Sequence, residues 1–191
     1  MENSANGFLL DKALAFAARA HQGQFRKGTE IPYISHPYAV GLILQGAGCR
    51  REVVAAGILH DLLEDTSVTM EQLRKEFGPE IAALVEGCSE PGHDELPWET
   101  RKEHTIAYLK SAPVEIRMVA CADKLHNVRS MMVDYRQVGE ELWKRFKRGR
   151  EQQEWYYRGL AASLGSRLDT PELERIFRQY ETAVAKLFNK Q

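Results

Sequence analysis

Hydrophobic residues recur at helical spacing along almost the whole chain, in blocks separated by short glycine, proline and polar runs. The alanine-rich block 8–22 keeps that spacing and stops at Gly23. A polar loop follows from Gln24 to Ser35, holding Gly28, Pro32 and the dipeptide Arg26-Lys27. His36-Pro37 opens a helix to about Leu44, with proline at the favoured first position. Residues 51–65 predict a strongly apolar helix. Thr69 and Gln72 have capping-box spacing and start a short helix that ends at Gly78; Pro79 starts another that ends at Gly87. Residues 88–97 are loop by composition. Helical patterns resume at 98–111 and, after Pro113, at 114–132. The stretch 140–164 is charged and then aromatic, at Trp155-Tyr156-Tyr157. Thr170-Pro171 caps a last helix whose apolar positions 173, 176, 177, 180, 184, 187 and 188 follow the 3.6-residue period. No strand-like alternation, internal repeat or low-complexity tract interrupts this pattern, so an all-α chain is expected.

Composition narrows the class without naming an activity. The 191 residues carry 26 Lys+Arg against 27 Asp+Glu, a net charge of −1, which argues against a dedicated nucleic-acid binder. A hydrophobic fraction of 43% with 28% charged residues is that of an ordinary globule, large enough to fold without a staple. Cys49, Cys88 and Cys121 are odd in number and lack a Cys-x-x-Cys pair, the pattern of reduced thiols. The apolar Phe8-Leu9-Leu10 is cut at once by Asp11 and Lys12, so no signal peptide is expected, and no run reaches the length of a membrane span. A cytoplasmic protein is the expectation.

The unusual block is VVAAGILHDLLED, residues 53–65. On a regular helix His60, Glu64, Asp61 and Asp65 fall within an arc of about 140°. Leu62, Ala55, Leu59, Leu63 and Ala56 fill the opposite side. Gly57 lies within the polar stripe, where a missing side chain leaves room. A solvated charged face is the ordinary explanation of such a stripe. The surrounding apolar sequence favours burial instead, and three crowded carboxylates are costly to bury unless a cation joins them.

A second mostly apolar helix, MVACADKLHNVRSMM at 118–132, carries a compact polar spot of Asp123, Asn127 and Ser130. Lys124 and Arg129 fit a solvated edge, His126 faces away from Asp123, and Cys121 sits in the apolar sector as a core residue. His36, His60, Asp61 and Asp123 together supply two imidazoles and two carboxylates, which balance a dication and suit Mn²⁺, Fe²⁺ or Zn²⁺. Glu64 and Asp65 remain one turn along as acid/base groups for a metal-bound water.

At this point the chain resembles a known family. His36, His60-Asp61 and Asp123 are similar to the H…HD…D signature of HD-domain metal-dependent phosphohydrolases. The segments HQGQFRKG, PYISHPYAV, AAGILHDLLEDT, FGPEIAALVEG and ADKLHNVRSM, in this order over roughly residues 13–132, resemble the hydrolase domain of the RelA/SpoT alarmone enzymes. The resemblance implies a single helical HD bundle, with a core at about 8–135 and a C-terminal extension at about 136–191. It implies a stand-alone hydrolase, since the length leaves no room for the synthetase and regulatory domains. It also implies Mn²⁺ on His36, His60, Asp61 and Asp123, and a catalytic Glu64-Asp65 pair. Arg26 and Lys27 would lie at the nucleotide, and Asn127, with Ser130 beside it, at the ribose or its 3′ substituent. The family reaction removes pyrophosphate from the 3′ position of (p)ppGpp, giving GDP or GTP.

The chain departs from the pattern in two places. Gly87-Cys88-Ser89-Glu90-Pro91 stands where the alarmone enzymes usually carry a Gly-Val-Thr-Lys-like run, and the Lys27–His36 loop is one residue longer. Both border the expected nucleotide pocket. They leave open an adenosine alarmone such as (p)ppApp or another nucleotide 3′-phosphate ester. Two rivals stand apart from these departures: an HD phosphohydrolase of another nucleotide such as a 5′-nucleotide, disfavoured by Glu64-Asp65 with Arg26-Lys27, and a non-catalytic nucleotide sensor, disfavoured by the full set of candidate ligands and acidic residues; the oligomeric state is open too. The basic cluster Lys144, Arg145, Lys147, Arg148 and Arg150 ahead of the aromatic triplet reads either as a solvated face or as a helix closing over the site. Arg101 and Lys102 carry the same two readings, while His21 reads as a satisfied core histidine and His93 and His104 as surface residues.

Overall fold

The computed structural model describes residues 8–90 and 96–189. Its helices are α1 (Leu9–Ala20), α2 (Ser35–Ala47), α3 (Arg51–Leu59), α4 (Leu62–Asp65), α5 (Met70–Cys88), α6 (Trp98–Leu109), α7 (Val114–Val138), α8 (Arg150–Gly165) and α9 (Pro171–Phe188), with a 3-10 segment over Gly139–Arg145. Among the described residues the only β feature is an isolated bridge between Phe25 and Pro32 in the α1–α2 loop. Local chemistry sets several boundaries. Gly48 ends α2 at φ +88°, a left-handed cap that costs a glycine little. Thr69 and Gln72 form both bonds of the capping box. Gly78, at φ 81° and ψ 167°, breaks α5 just before Pro79, which matches the two-helix reading of that stretch. His93 lies outside the described residues.

The long helix α7 is the spine. Val119, Cys121, Ala122, Leu125 and Val128 are fully buried, where it packs against α2, α3 and α5 as well as α9. From α9 come Leu173, Ile176, Phe177, Tyr180, Val184, Leu187 and Phe188, the residues its period selects. Each large apolar side chain buried in this seam contributes roughly 1.5–3 kcal/mol. Arg117, fully buried on α7, donates to Asp169 at 3.0 Å, to the Leu164 carbonyl at 2.9 Å and to the Arg167 carbonyl. One guanidinium thereby ties the spine to the α8–α9 connection.

Two expectations about the central helix need correction. Residues 51–65 are not one helix, because His60 and Asp61 form a turn between α3 and α4. The His60 Nδ1–H donates to the Gly57 carbonyl at 2.8 Å, occupying the oxygen that would accept the Asp61 amide in a continuous helix. Asp61 relaxes to φ −88° and ψ −2°, while the Asp65 amide still reaches the Asp61 carbonyl at 2.9 Å, so the chain keeps its right-handed course. Gly57, in turn, is not a gap in a polar stripe. A Cβ there would stand 2.3 Å from Leu44 Cδ1 and 3.3 Å from Val40 Cγ1. The missing side chain lets α2 close onto α3, and that approach brings His36 beside His60.

Candidate metal centre and its two cavities

His36 enters from the first turn of α2, His60 and Asp61 from the turn after α3, and Asp123 from the middle of α7. His60 Nε2 lies 3.0 Å from Asp61 Oδ1 and 3.8 Å from Asp123 Oδ1, and His36 Nε2 lies 3.5 Å from Asp61 Oδ2 and 3.2 Å from Asp123 Oδ1. The donor atoms of His36, His60 and Asp61 all fall within 4.8 Å of one another. His60 Nε2 is buried yet makes no hydrogen bond, although a carboxylate oxygen stands 3.0 Å away. These donor atoms crowd into one small volume. Neighbouring donors on a dication with bonds of about 2.1 Å stand roughly 3 Å apart, so the observed spacing fits a metal cage.

A second layer orients the donors. His36 Nδ1 lies 2.7 Å from His126 Nδ1, so a metal-directed Nε2 on His36 requires its Nδ1 to carry the proton and donate to His126. The Tyr33 hydroxyl donates to Asp61 Oδ2 at 2.7 Å and lies 3.0 Å from Asp65 Oδ2. Asn127 Nδ2 donates to Asp123 Oδ1 at 2.6 Å, and Lys124 Nζ pairs with Asp123 Oδ2 at 2.6 Å. Lys124 therefore is not a solvated edge residue. Its side chain is 21% exposed and turns inward because the buried carboxylate requires a counter-charge.

Charge and burial pull the two histidines in opposite directions. Burial lowers His36 against the opposing pull of Asp123 and Asp61. At His60 burial also disfavours the cation, but Asp61 and Asp123 together outweigh it and hold the imidazole well above its ordinary value. Burial would raise Asp123, yet Lys124 and the two histidines keep it well below the usual carboxylate range. Asp61 is likewise lowered, burial being outweighed by His60. His126 falls to about 4 through burial and its cationic neighbours.

The cluster sits between two cavities. One, of about 720 Å³, is lined by Arg26, Lys27, Asn127, Ser130, Arg129, Asp134, Arg145, Phe146 and Tyr157 among others. Arg26 donates to Asn127 Oδ1 at 2.8 Å and stacks over Tyr33, while Lys27 Nζ lies 5.6 Å above the Phe146 ring. The four residues the sequence groups around a substrate, Arg26, Lys27, Asn127 and Ser130, thus line one space. The other cavity, of about 490 Å³, reaches His60, Asp61 and Asp123 and is bounded by Glu64, Glu90, Lys102, Thr105, Lys124 and Tyr156. Glu64 and Asp65 diverge. Glu64 faces the smaller cavity, is raised by burial and accepts the Glu90 amide at 2.6 Å. Asp65 is exposed on the Tyr33 side.

Several of these groups are absent from the sequence reading or misread by it. Tyr33 and His126 act on the cluster although neither stands out by type or spacing; each sits inside a motif already singled out, PYISHP and ADKLHN. The basic-aromatic stretch divides between its two readings. Lys144 and Arg148 make exposed pairs with Glu141 and Glu99, whereas Arg145, Phe146 and Tyr157 wall the larger cavity. Arg101 and Lys102 are not a solvated pair: both fold inward onto Glu90. His21 is only half satisfied among the described residues, with Nδ1 on Gln24 at 2.7 Å and no partner among them for the buried Nε2.

A helical bundle in which α2 and the turn after α3 bring His36, His60 and Asp61 together, with Asp123 of α7 beside them, presents donors of the kind that suit a divalent metal. The chain belongs to the HD-domain family, whose sequence profile matches residues 13–153. It is 38% identical over 121 residues to the guanosine-3′,5′-bis(diphosphate) 3′-pyrophosphohydrolase of Haemophilus influenzae, covering 60% of this chain and 17% of that protein. The chain thus spans less than a fifth of such long relatives. The Danio rerio guanosine-3′,5′-bis(diphosphate) 3′-pyrophosphohydrolase MESH1 is 32% identical over 182 residues, covering 91% of this chain and 97% of that one. Among solved structures, lmo0812 from Listeria monocytogenes EGD-e superposes with a TM-score of 0.75 at 39% identity, covering 81% of this chain and 99% of that one. A metazoan SpoT ortholog described as hydrolysing ppGpp superposes with a TM-score of 0.69 at 28% identity, covering 90% and 94%. No helix among the described residues is long and apolar enough to cross a membrane.

Proposed function

We propose that this protein is a Mn²⁺-dependent hydrolase that removes pyrophosphate from the 3′ position of (p)ppGpp-type nucleotides. The supporting observation is the donor cluster lying between a cationic cavity and a carboxylate-lined one. His36, His60, Asp61 and Asp123 would hold the ion, which when bound lowers the pKa of water and polarises a phosphoryl oxygen. Water attacks the phosphorus bonded to O3′, the P–O3′ bond breaks, O3′ takes up a proton and departs as the 3′-hydroxyl of GDP or GTP, and the group transferred to water is released as pyrophosphate. Glu64, half-buried and raised by burial, is the proton acceptor for that water. Tyr33 and Asp65 orient the Asp61 carboxylate from the opposite side. Arg26 and Asn127 address the ribose, Lys27 and Arg145 offset the 5′-phosphates, and Phe146 and Tyr157 supply apolar walls for a base. Three free thiols suit a reducing, cytoplasmic setting.

Purified protein incubated with ppGpp and Mn²⁺ is expected to release pyrophosphate, and Asp61→Ala to abolish the release. Parallel reactions with (p)ppApp measure the base preference. Absence of turnover on every 3′-pyrophosphorylated nucleotide overturns the reading.

A further inference from the structure

The Glu90 carboxylate is nearly enclosed, with a side chain 9% exposed, and among the described residues its donors come from the first two turns of α6. Arg101 Nη1 donates to Oε2 at 2.5 Å, Lys102 Nζ to Oε1 at 2.9 Å, and the Thr105 hydroxyl to Oε1 at 2.9 Å. Behind them α6 rests on α8, where Gly159 admits Ile106 and Ser163 Oγ donates to the Ile106 carbonyl at 2.7 Å. The backbone amide of this same Glu90 points the other way and donates to Glu64 Oε1 at 2.6 Å. Among the described residues, a carboxylate in the metal-facing cavity is thus held by one amide, that of a residue whose own side chain is clamped to a neighbouring helix. The clamp is buried and sets one carboxylate against two cations, so loss of Glu90 would leave Arg101 and Lys102 as enclosed cations without their anion.

We propose that Glu90 is a positioning residue for Glu64: its side chain anchors the end of α5 to α6, and its amide fixes the Glu64 carboxylate towards the reacting water. This rests on the hydrolase reading above. The competing explanation is that the α5 C-terminus fixes the amide unaided, through Ser89 N–H on Glu86 and Ser89 Oγ on Val85. The two differ in what happens to the residue-90 amide when only the side chain is changed.

The test uses the full chain with two readouts. In amide-resolved NMR, with diamagnetic Mg²⁺ in place of Mn²⁺, the residue-90 proton is expected at low field and in slow exchange, as for a charge-assisted bond. Glu64→Gln moves it upfield. Glu90→Ala removes both its shift and its protection, and Glu90→Asp keeps them, because the long Arg101 and Lys102 stems can follow a shorter carboxylate. In Mn²⁺-supported turnover, Glu90→Ala is expected to lower kcat by about tenfold or more with KM within about threefold, and Glu90→Asp to restore most of it. Thr105→Val, which deletes one hydroxyl, is expected to give a weaker version of the same changes and serves if Glu90→Ala does not fold. An unchanged residue-90 amide in Glu90→Ala or Thr105→Val overturns the proposal, as does a loss confined to KM. Should the wild-type protein turn over no nucleotide, the function reading fails while the amide still decides the role of Glu90.

Discussion

His36 lies in the first turn of α2 and His60 in the turn after α3, and their surroundings shift the two imidazoles in opposite directions. Burial lowers His36, whereas at His60 burial is outweighed by Asp61 and Asp123, which raise the imidazole well above the ordinary range. Such a raised histidine stabilises the metal-free fold fully below the unfolded pKa and loses that contribution as pH rises through the folded one. A metal must displace the same proton. Metal affinity is therefore expected to fall as pH drops below the raised pKa of His60. Titration calorimetry in buffers of different ionisation enthalpy would show a proton released on binding; a buffer-independent heat would contradict it. The second layer makes a separate prediction. His126→Ala removes the only residue bonded to His36 Nδ1 among the described contacts and is expected to weaken metal affinity by about 10–100-fold, with little change in the melting of the metal-free protein. Asp61 and His60 could be picked from sequence because a charged triplet in an apolar block is a local anomaly. Tyr33 and His126 could not, since the bonds that give them a role join positions 28 and 90 residues apart.

At the scale of helices, what was legible is what is encoded over one or two turns. The Thr69–Gln72 box, the break at Gly78 and the apolar face of α9 depend on spacings of three to seven residues, and the structure reproduces them. The turn at His60-Asp61 follows instead from a side chain taking a backbone acceptor, and His60 adopts that pose where α2 closes in. Periodicity carries no trace of it. Gly57 is the hinge of the misreading, because the helical wheel places it correctly by angle but does not reveal which element lies there. A methyl group at Gly57 would overlap Leu44 and push α2 from α3. Gly57→Ala is expected to destabilise the protein by about 1–3 kcal/mol in urea or guanidinium unfolding, through overpacking of this seam. It should also loosen the metal, since the same displacement carries His36 away from His60. Wild-type stability in this variant would mean that the two helices do not need so close an approach.

Across the whole molecule, the cluster separates two spaces of opposite charge. Among the described lining residues, Arg26, Lys27, Arg129 and Arg145 face a single carboxylate, Asp134, in the larger cavity, while Asp61, Glu64, Glu86, Glu90 and Asp123 outnumber Lys102 and Lys124 in the smaller. Neither sign is visible in the overall charge of −1, because the two cavities nearly cancel and each draws on elements distant in sequence. On the proposed function, the anionic end of a nucleotide falls in the larger cavity and the attacking water on the Glu64 side. Attraction between exposed cations and a 5′-diphosphate is screened by salt, with a Debye length of about 10 Å at 0.1 M and about 3 Å at 1 M. KM for a 3′-pyrophosphorylated nucleotide with a 5′-diphosphate is accordingly expected to rise several-fold between 0.05 and 0.5 M salt at roughly constant kcat. The same nucleoside 3′-pyrophosphate with a free 5′-hydroxyl should show a much shallower rise, and Arg145→Ala should reduce the difference between the two. Equal salt slopes for both substrates would place the 5′-phosphates outside the cationic cavity and reverse the assignment of the two sides.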